Sequence, residues 1–248
     1  MCRVGAWVRP SGFPSAGRHS YVQCALLGIP MWVKICGVRD EATAEQICRL
    51  APDAIGLNFY EKSPRSVRKD VAARIAGVTG DTVQRVGVFV NHGASEIADL
   101  VHECRLGAVQ LHGDETAEEV ANIASRLPGI PLFRAWRMDG ESLADLEQHL
   151  VDCGVRGIQT AGCLIDSRVP GAYGGTGHTV PWEPLRRVYQ HDKWPSLILA
   201  GGLTADNVIK AIQAVKPWGV DVASGVESTP GQKDIEQVRR FIENARRA

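Results

Sequence analysis

Two side chains far apart in this chain have the chemistry to move protons on one substrate. Cys36 closes the apolar run Met31-Trp32-Val33-Lys34-Ile35-Cys36, and Asp166 closes Leu164-Ile165-Asp166. A thiolate can take a proton and a carboxyl can give one. A buried cysteine is by default a small inert hydrophobe, so Cys36 gains weight only from its surroundings. Its thiol, with a reference pKa of ~8.5, needs a cation or a helix N-terminus to ionise. Gly37 follows it, and Val38-Arg39-Asp40-Glu41-Ala42 reads as the acidic first turn of a helix. Lys34, two residues before Cys36, shares its face of an extended strand. A lysine facing inward needs a partner, and Asp221 in Gly219-Val220-Asp221-Val222 is the candidate.

Other residues suit the binding of anions. Arg65, in Ser63-Pro64-Arg65, carries a guanidinium that can bind a planar carboxylate through two parallel hydrogen bonds. Gly201-Gly202 and Ser224-Gly225 each end an apolar run. Backbone N–H groups at such turns form preformed phosphate sites. The Gly171–Gly177 stretch, with Gly174 and Gly175, reads as a long lid loop over the site. His112, in Leu111-His112-Gly113-Asp114, ends another apolar run and is expected to face substrate or to be structural. No Cys or His stands at ligand spacing from it, so neither a metal nor a cofactor is expected.

The elements that must position these residues follow from the hydrophobic pattern. Short β-rich runs at 32–36, 54–59, 83–90, 106–111, 131–137, 161–166, 196–200 and 218–223 alternate with amphipathic stretches. The latter fall at 40–50, 68–78, 95–104, 115–127, 141–152, 182–190, 205–215 and 232–246. Ser95, Asp114-Glu115 and Thr204 read as helix start signals. Near-continuous apolar strands indicate a parallel sheet buried on both faces. Eight strand–helix pairs in about 215 residues are the count of a (βα)8 barrel. An open doubly wound sheet would want a G-x-G-x-x-G first turn, and only Gly37 stands there. In a barrel the C-terminal strand ends converge, so Cys36, Arg65, Asp166 and the glycine pairs would ring one mouth.

The composition excludes several classes. Basic and acidic residues balance at 28 each, which leaves no net field for nucleic acid or an anionic membrane. No apolar run reaches the roughly 18 residues of a membrane span. Seven scattered cysteines with no C-x-x-C pair indicate reduced thiols in a cytosol-like compartment. Residues 1–30 contain Arg3, Arg9 and Arg18 and no acid, so they form an N-terminal extension distinct from a barrel domain at 31–248. That composition suits an organelle transit peptide. An upstream start, with Met31 as the natural beginning, is the favoured reading because the first strand begins there; otherwise the segment is expected to be a disordered or weakly docked tail.

In their order, these segments resemble phosphoribosylanthranilate isomerase, a (βα)8-barrel enzyme of tryptophan biosynthesis. The resemblance rests on Lys34–Gly37, Gly56–Arg65, Val88–Asn91, Val109–Glu115, Leu164–Ser167, Gly174–Gly177, Leu199–Thr204 and Gly219–Glu227, and runs from about Met31 to the C-terminus. It implies an Amadori rearrangement of N-(5-phosphoribosyl)anthranilate, with Asp166 as general acid and Cys36 as general base. It further implies Arg65 at the anthranilate end and phosphate at the strand 7 and 8 glycines. A cytoplasmic enzyme that is a monomer rather than a dimer is expected. Two positions depart from the family pattern: Ser66 stands where an aromatic often follows the arginine, and Pro181 replaces an acid before Trp182. A related ribose-phosphate isomerase of histidine biosynthesis remains an alternative, although that family has Asp where this chain has Cys36. A non-catalytic phosphosugar-binding barrel is the other.

Overall fold

The structure is a computed structural model that describes residues 30–138, 142–167 and 179–248. The expectations for residues 1–30, and for Gly174 and Gly175, fall on or almost wholly on residues outside these.

Eight parallel strands close into a barrel in chain order. They are β1 (Trp32–Cys36), β2 (Ala54–Asn58), β3 (Gln84–Phe89), β4 (Ala108–Leu111), β5 (Leu132–Met138), β6 (Gly162–Ser167), β7 (Ser196–Leu199) and β8 (Gly219–Val222). The helices between and after them are α1 (Glu41–Arg49), α2 (Lys69–Val78), α3 (Ala94–Glu103), α4 (Ala117–Arg126), α5 (Ala144–Val155), α6 (Trp182–Val188), α7 (Val208–Val215) and α8 (Ile235–Arg247). A short hairpin, β9 (Glu227–Thr229) and β10 (Gln232–Lys233), stands between β8 and α8. The (βα)8 expectation therefore holds, and the hairpin was not legible in the sequence.

The period of two in each strand divides the apolar residues between two cores. Trp32, Ala54, Val86, Ala108, Phe133, Leu164, Ile198 and Trp218 form one cluster that fills the barrel. Trp32 stacks on Trp218 with centroids 5.2 Å apart, and Gly219 is needed beside it because a Cβ there would lie 2.8 Å from Trp32 Cε3. The alternate residues, such as Val33, Ile35, Ile55 and Leu57, pack outward into the larger cluster under the helices. α8 shows why these helices form: Asp234 caps its first turn, accepting from Glu236 and Gln237 N–H, and Val238, Phe241, Ile242 and Ala245 make one buried stripe. Truncating the fully buried Phe241 to Ala would cost about 3–5 kcal/mol.

Three helix starts differ from expectation. α3 begins after Gly93, with Ser95 inside the helix. α4 is capped by Thr116 in a capping box with Glu119, not by Asp114 or Glu115. α7 begins at Val208, and its Ncap is Asn207, whose Oδ1 accepts from Thr204 N at 2.8 Å. At α6 the departure at Pro181 is visible: it is the Ncap residue and provides no side-chain hydrogen bond.

Candidate active site

Cys36 ends β1 and is 8 % exposed. It pairs in register with Gly56, where a Cβ would fall 2.6 Å from its sulfur, so glycine on β2 makes the room for the thiol. Lys34, two residues earlier, points into the barrel as expected. Its Nζ donates to Asp221 Oδ1 at 2.7 Å, across the β1–β8 register pair Lys34↔Asp221. Burial works to lower the Lys34 pKa, but Asp221 and Cys36 outweigh it and the net direction is upward. Burial pushes the Cys36 thiol up; Lys34 and Lys233 pull it down, while Asp221 adds to the rise. The helping cations expected from sequence are thus present, yet the net balance favours the neutral thiol.

Asp166 lies on β6, separated from β1 by β7 and β8 around the ring. It is 6 % exposed. Its Oδ1 accepts from Ser167 N at 2.7 Å. Gly201 permits this placement: it sits at φ +78°, and a Cβ would lie 2.9 Å from Asp166 Oδ1 and 2.8 Å from Ser167 N. His112 directs Nε2 toward Asp166 Oδ2 at 3.6 Å, and that nitrogen is buried without a hydrogen-bond partner among the described residues. Its other ring nitrogen, Nδ1, lies 2.9 Å from Nε2 of the buried Gln110. An amide nitrogen only donates, so Nδ1 accepts and Nε2 carries the proton. Neither neighbour of His112 was expected from sequence; its position two residues after Gln110 on one strand face was the available signal.

Arg65 crosses Gly37, whose φ of +82° and missing Cβ let Arg65 Cδ approach the first turn. Its Nε–Nη2 edge is occupied. Nε and Nη2 donate to Glu227 Oε1 and Oε2 at 2.8 and 2.7 Å. Lys233 Nζ donates to Glu227 Oε1 and to Ala223 O, both at 2.8 Å. Burial raises the Glu227 carboxyl, but Arg65 and Lys233 together take it below the usual range. The sequence reading missed Lys233 as a functional neighbour and did not give Glu227 a role. Both belong to the hairpin, and only the close spacing of Glu227 and Lys233 around Gly231 hinted at it.

The loops after β7 and β8 touch. A Cβ on Gly225 would lie 1.8 Å from Leu203 O, so only glycine allows the contact. Gly202 sits at φ +61°, and its carbonyl accepts from Asn207 Nδ2 at 2.9 Å. Ser224 and Gly225 open a short 3₁₀ turn. Gly201, Gly202, Ser224 and Gly225 are therefore adjacent, at the end of the barrel that holds Cys36 and Asp166. A separate cleft of about 750 Å³ lies outside the barrel between β5, α4 and α5. The Arg134 guanidinium on its wall is engaged by Glu115 and by backbone carbonyls, which leaves it little capacity for a ligand. No group of side chains able to hold a metal occurs among the described residues, and none of their helices is long and apolar enough to cross a membrane.

Comparison with known proteins gives one consistent result. A family model described as N-(5'-phosphoribosyl)anthranilate (PRA) isomerase matches residues 33–244. An N-(5'-phosphoribosyl)anthranilate isomerase from Trichlorobacter lovleyi is 41 % identical over 216 residues, covering 87 % of this chain and 98 % of that protein. The crystal structure of phosphoribosyl anthranilate isomerase from Thermotoga maritima is 37 % identical with a TM-score of 0.75, covering 88 % of this chain and all of that one (100 %). A phosphoribosyl anthranilate isomerase solved in complex with reduced 1-(o-carboxyphenylamino)-1-deoxyribulose 5-phosphate is 35 % identical with a TM-score of 0.71, at 88 % and 100 % coverage.

Proposed function

The chain belongs to the N-(5'-phosphoribosyl)anthranilate isomerase family, and from that premise we propose roles for the residues at its mouth. The enzyme converts N-(5'-phosphoribosyl)anthranilate to 1-(2-carboxyphenylamino)-1-deoxyribulose 5-phosphate in tryptophan biosynthesis. The observation that supports the assignment of roles is the placement of a buried thiol and a buried carboxyl on β1 and β6 at one end of the barrel.

Asp166 acts first, as general acid. Its Oδ1 is held by Ser167 N–H, so Oδ2 is the oxygen left to carry a proton to the ribose ring oxygen. The C1′–O bond breaks, and the anilino nitrogen lone pair closes a C1′=N⁺ iminium. That cation changes the electrostatics of the mouth. A positive charge near Cys36 offsets the burial that keeps the thiol neutral, and so favours thiolate. Cys36 then removes the C2′ proton. The C–H electrons form C1′=C2′, the iminium electrons return to nitrogen, and the enolamine tautomerises by losing its O2′ proton and gaining one at C1′.

Binding falls to the residues around this pair. Arg65 meets the anthranilate carboxylate, and His112 lines the mouth beside Asp166. The backbone of Gly201, Gly202, Ser224 and Gly225 receives the phosphate, as is usual for the loops after strands 7 and 8 of this fold. The reduced state of the thiols, five of them free among the described residues, supports a cytoplasmic setting. On this reading the protein works as a monomer, although a similar Thermotoga maritima isomerase is described as dimeric; its elution volume beside mass standards decides between the two. The roles are tested by following loss of substrate fluorescence with Cys36→Ala and Asp166→Asn. Each should lower turnover by ~10²–10⁴-fold while substrate still binds. Near-normal turnover in either would remove that residue from the mechanism.

A further inference from the structure

Arg65 reaches the mouth with two of its donors already committed to Glu227. Glu227 is in turn saturated. Oε1 takes Arg65 Nε and Lys233 Nζ, each at 2.8 Å, and Oε2 takes Arg65 Nη2 at 2.7 Å and Gly231 N at 3.2 Å. With four donors on two oxygens it cannot serve as a base, and its side chain is only 3 % exposed. It is delivered by a feature that the barrel itself does not require, the β9–β10 hairpin. The hairpin tip is fitted to the Arg65 loop: Gly231 sits at φ +83°, and a Cβ there would lie 2.7 Å from both Pro64 O and Arg39 Nη1.

We propose that Glu227 is a positioning residue for substrate carboxylate recognition: it fixes Arg65 so that the outer edge of the guanidinium, with Nη1, faces the benzoate, and it trims the local charge to match one carboxylate. The charge count supports this. Arg65 and Lys233 contribute two positive charges and Glu227 one negative, so the cluster carries one net positive charge; the neighbouring Lys34–Asp221 pair carries none. A single benzoate carboxylate completes the balance. Without Glu227 the long Arg65 side chain would have to be ordered by the ligand itself, at the entropic cost that preorganisation removes.

The inference rests on the assignment of Arg65 to the anthranilate end, and the test separates the two. The probes are reduced 1-(2-carboxyphenylamino)-1-deoxyribulose 5-phosphate and its 1-phenylamino analogue without the carboxyl, with Kd measured by calorimetry beside kcat and KM for the substrate. Wild type should prefer the carboxylated probe by ~10²-fold, in line with a charge-assisted bidentate contact. Arg65→Met should abolish that preference. Glu227→Gln should cut it by ~10-fold and raise KM far more than it lowers kcat. In the Arg65→Met background, Glu227→Gln should change the preference less than ~2-fold, because residues that act together are not additive. A loss of preference in Arg65→Met with none in Glu227→Gln would overturn the role of Glu227 alone. An unchanged preference in Arg65→Met would overturn the Arg65 assignment and this inference with it. Should Glu227→Gln fail to fold, Glu227→Asp keeps the charge one methylene short; an unaltered preference there would also overturn the proposal.

Discussion

Nε2 of His112 stops 3.6 Å from Oδ2 of Asp166, just outside hydrogen-bond reach. The buried N–H has no other partner among the described residues. Leaving a buried donor unpaired costs about 1–3 kcal/mol, and a slight closure of the gap would pair it. In the proposed mechanism, the partner it suits best is the carboxylate that Asp166 becomes on giving up its proton. Such a bond strengthens as the reaction proceeds, which is the kind of contact that raises turnover rather than affinity. His112→Leu is therefore expected to lower kcat by ~10-fold or more with little change in KM. A variant whose KM rises while kcat holds would make His112 a binding group only.

The thiol's position gives a pH prediction. Cys36 is held above its ordinary value, first by burial and then by Asp221, against Lys34 on its own strand and Lys233 on the hairpin. In the base role proposed for Cys36 the thiol must be deprotonated, and a raised pKa in the free enzyme then makes kcat/KM climb with pH through the alkaline range. Lys233→Met removes one of the opposing cations and should move that limb to higher pH. A wild-type profile that stays flat between about pH 7 and the reference thiol pKa of ~8.5 would argue that a group other than Cys36 takes the proton.

Much of this arrangement was legible in the sequence because motif and element boundary coincide at the mouth. The reading of 32–36 matches β1, Trp32–Cys36, and Lys34 does meet Asp221. Buried parallel strands announce themselves as apolar runs, and the residue at each run's end is the one that faces the site. What was not legible depends on contacts between distant segments. Glu227–Lys233 is too short and polar to show a period, and its purpose appears only when Arg65, 162 residues away in sequence, lies against it. Asn207 displaced Thr204 as the α7 cap because its side chain bonds back to the loop, a choice that local propensity does not decide. Glu115 looked like a first-turn helix acid, whereas its carboxylate is drawn to Arg134 and Gly113 N.

Gly201 offers a steric test of the acid's placement. Its φ of +78° already disfavours any other residue, and a methyl group would press on Ser167 N and on Asp166 Oδ1. Gly201→Ala should therefore displace the carboxyl and lower kcat by ~10-fold or more, since small misplacements of a reacting group are costly. Its melting temperature should fall only modestly. Full activity in this variant would show that the loop relaxes without moving Asp166.

His149 links stability to acid. Burial first, and then the Arg134 guanidinium, lower its pKa to about 4 from an ordinary 6.5. The unfolded chain thus binds this proton more readily than the folded one. Its contribution to stability is therefore fully present above about pH 6.5 and is lost as pH falls from there toward about 4. A tenfold difference in proton affinity between the two states is worth ~1.4 kcal/mol, and solvent screening of this partly buried ring reduces the loss to roughly 1–2 kcal/mol. His149→Gln should flatten the fall in urea-unfolding free energy across that window. An equally steep fall in the variant would place the acid sensitivity elsewhere.

Lys34 and Asp221 give the sharpest test of what the barrel interior tolerates. Their side chains are 1 % and 8 % exposed, and the ammonium is held by the 2.7 Å contact to Asp221 together with its closeness to Cys36. Removing one member leaves a buried charge uncompensated, which costs about 3–5 kcal/mol, whereas removing both is often close to neutral. Lys34→Met should therefore lower the urea midpoint strongly, and Lys34→Met with Asp221→Leu should recover most of it. Activity should separate from stability: the double variant regains its fold but not the cation beside Cys36, so its kcat/KM stays low at neutral pH and rises only at higher pH. A double variant as unstable as Lys34→Met would mean that shape, not charge pairing, holds this layer. One that is both stable and fully active would remove Lys34 from any part in ionising the thiol.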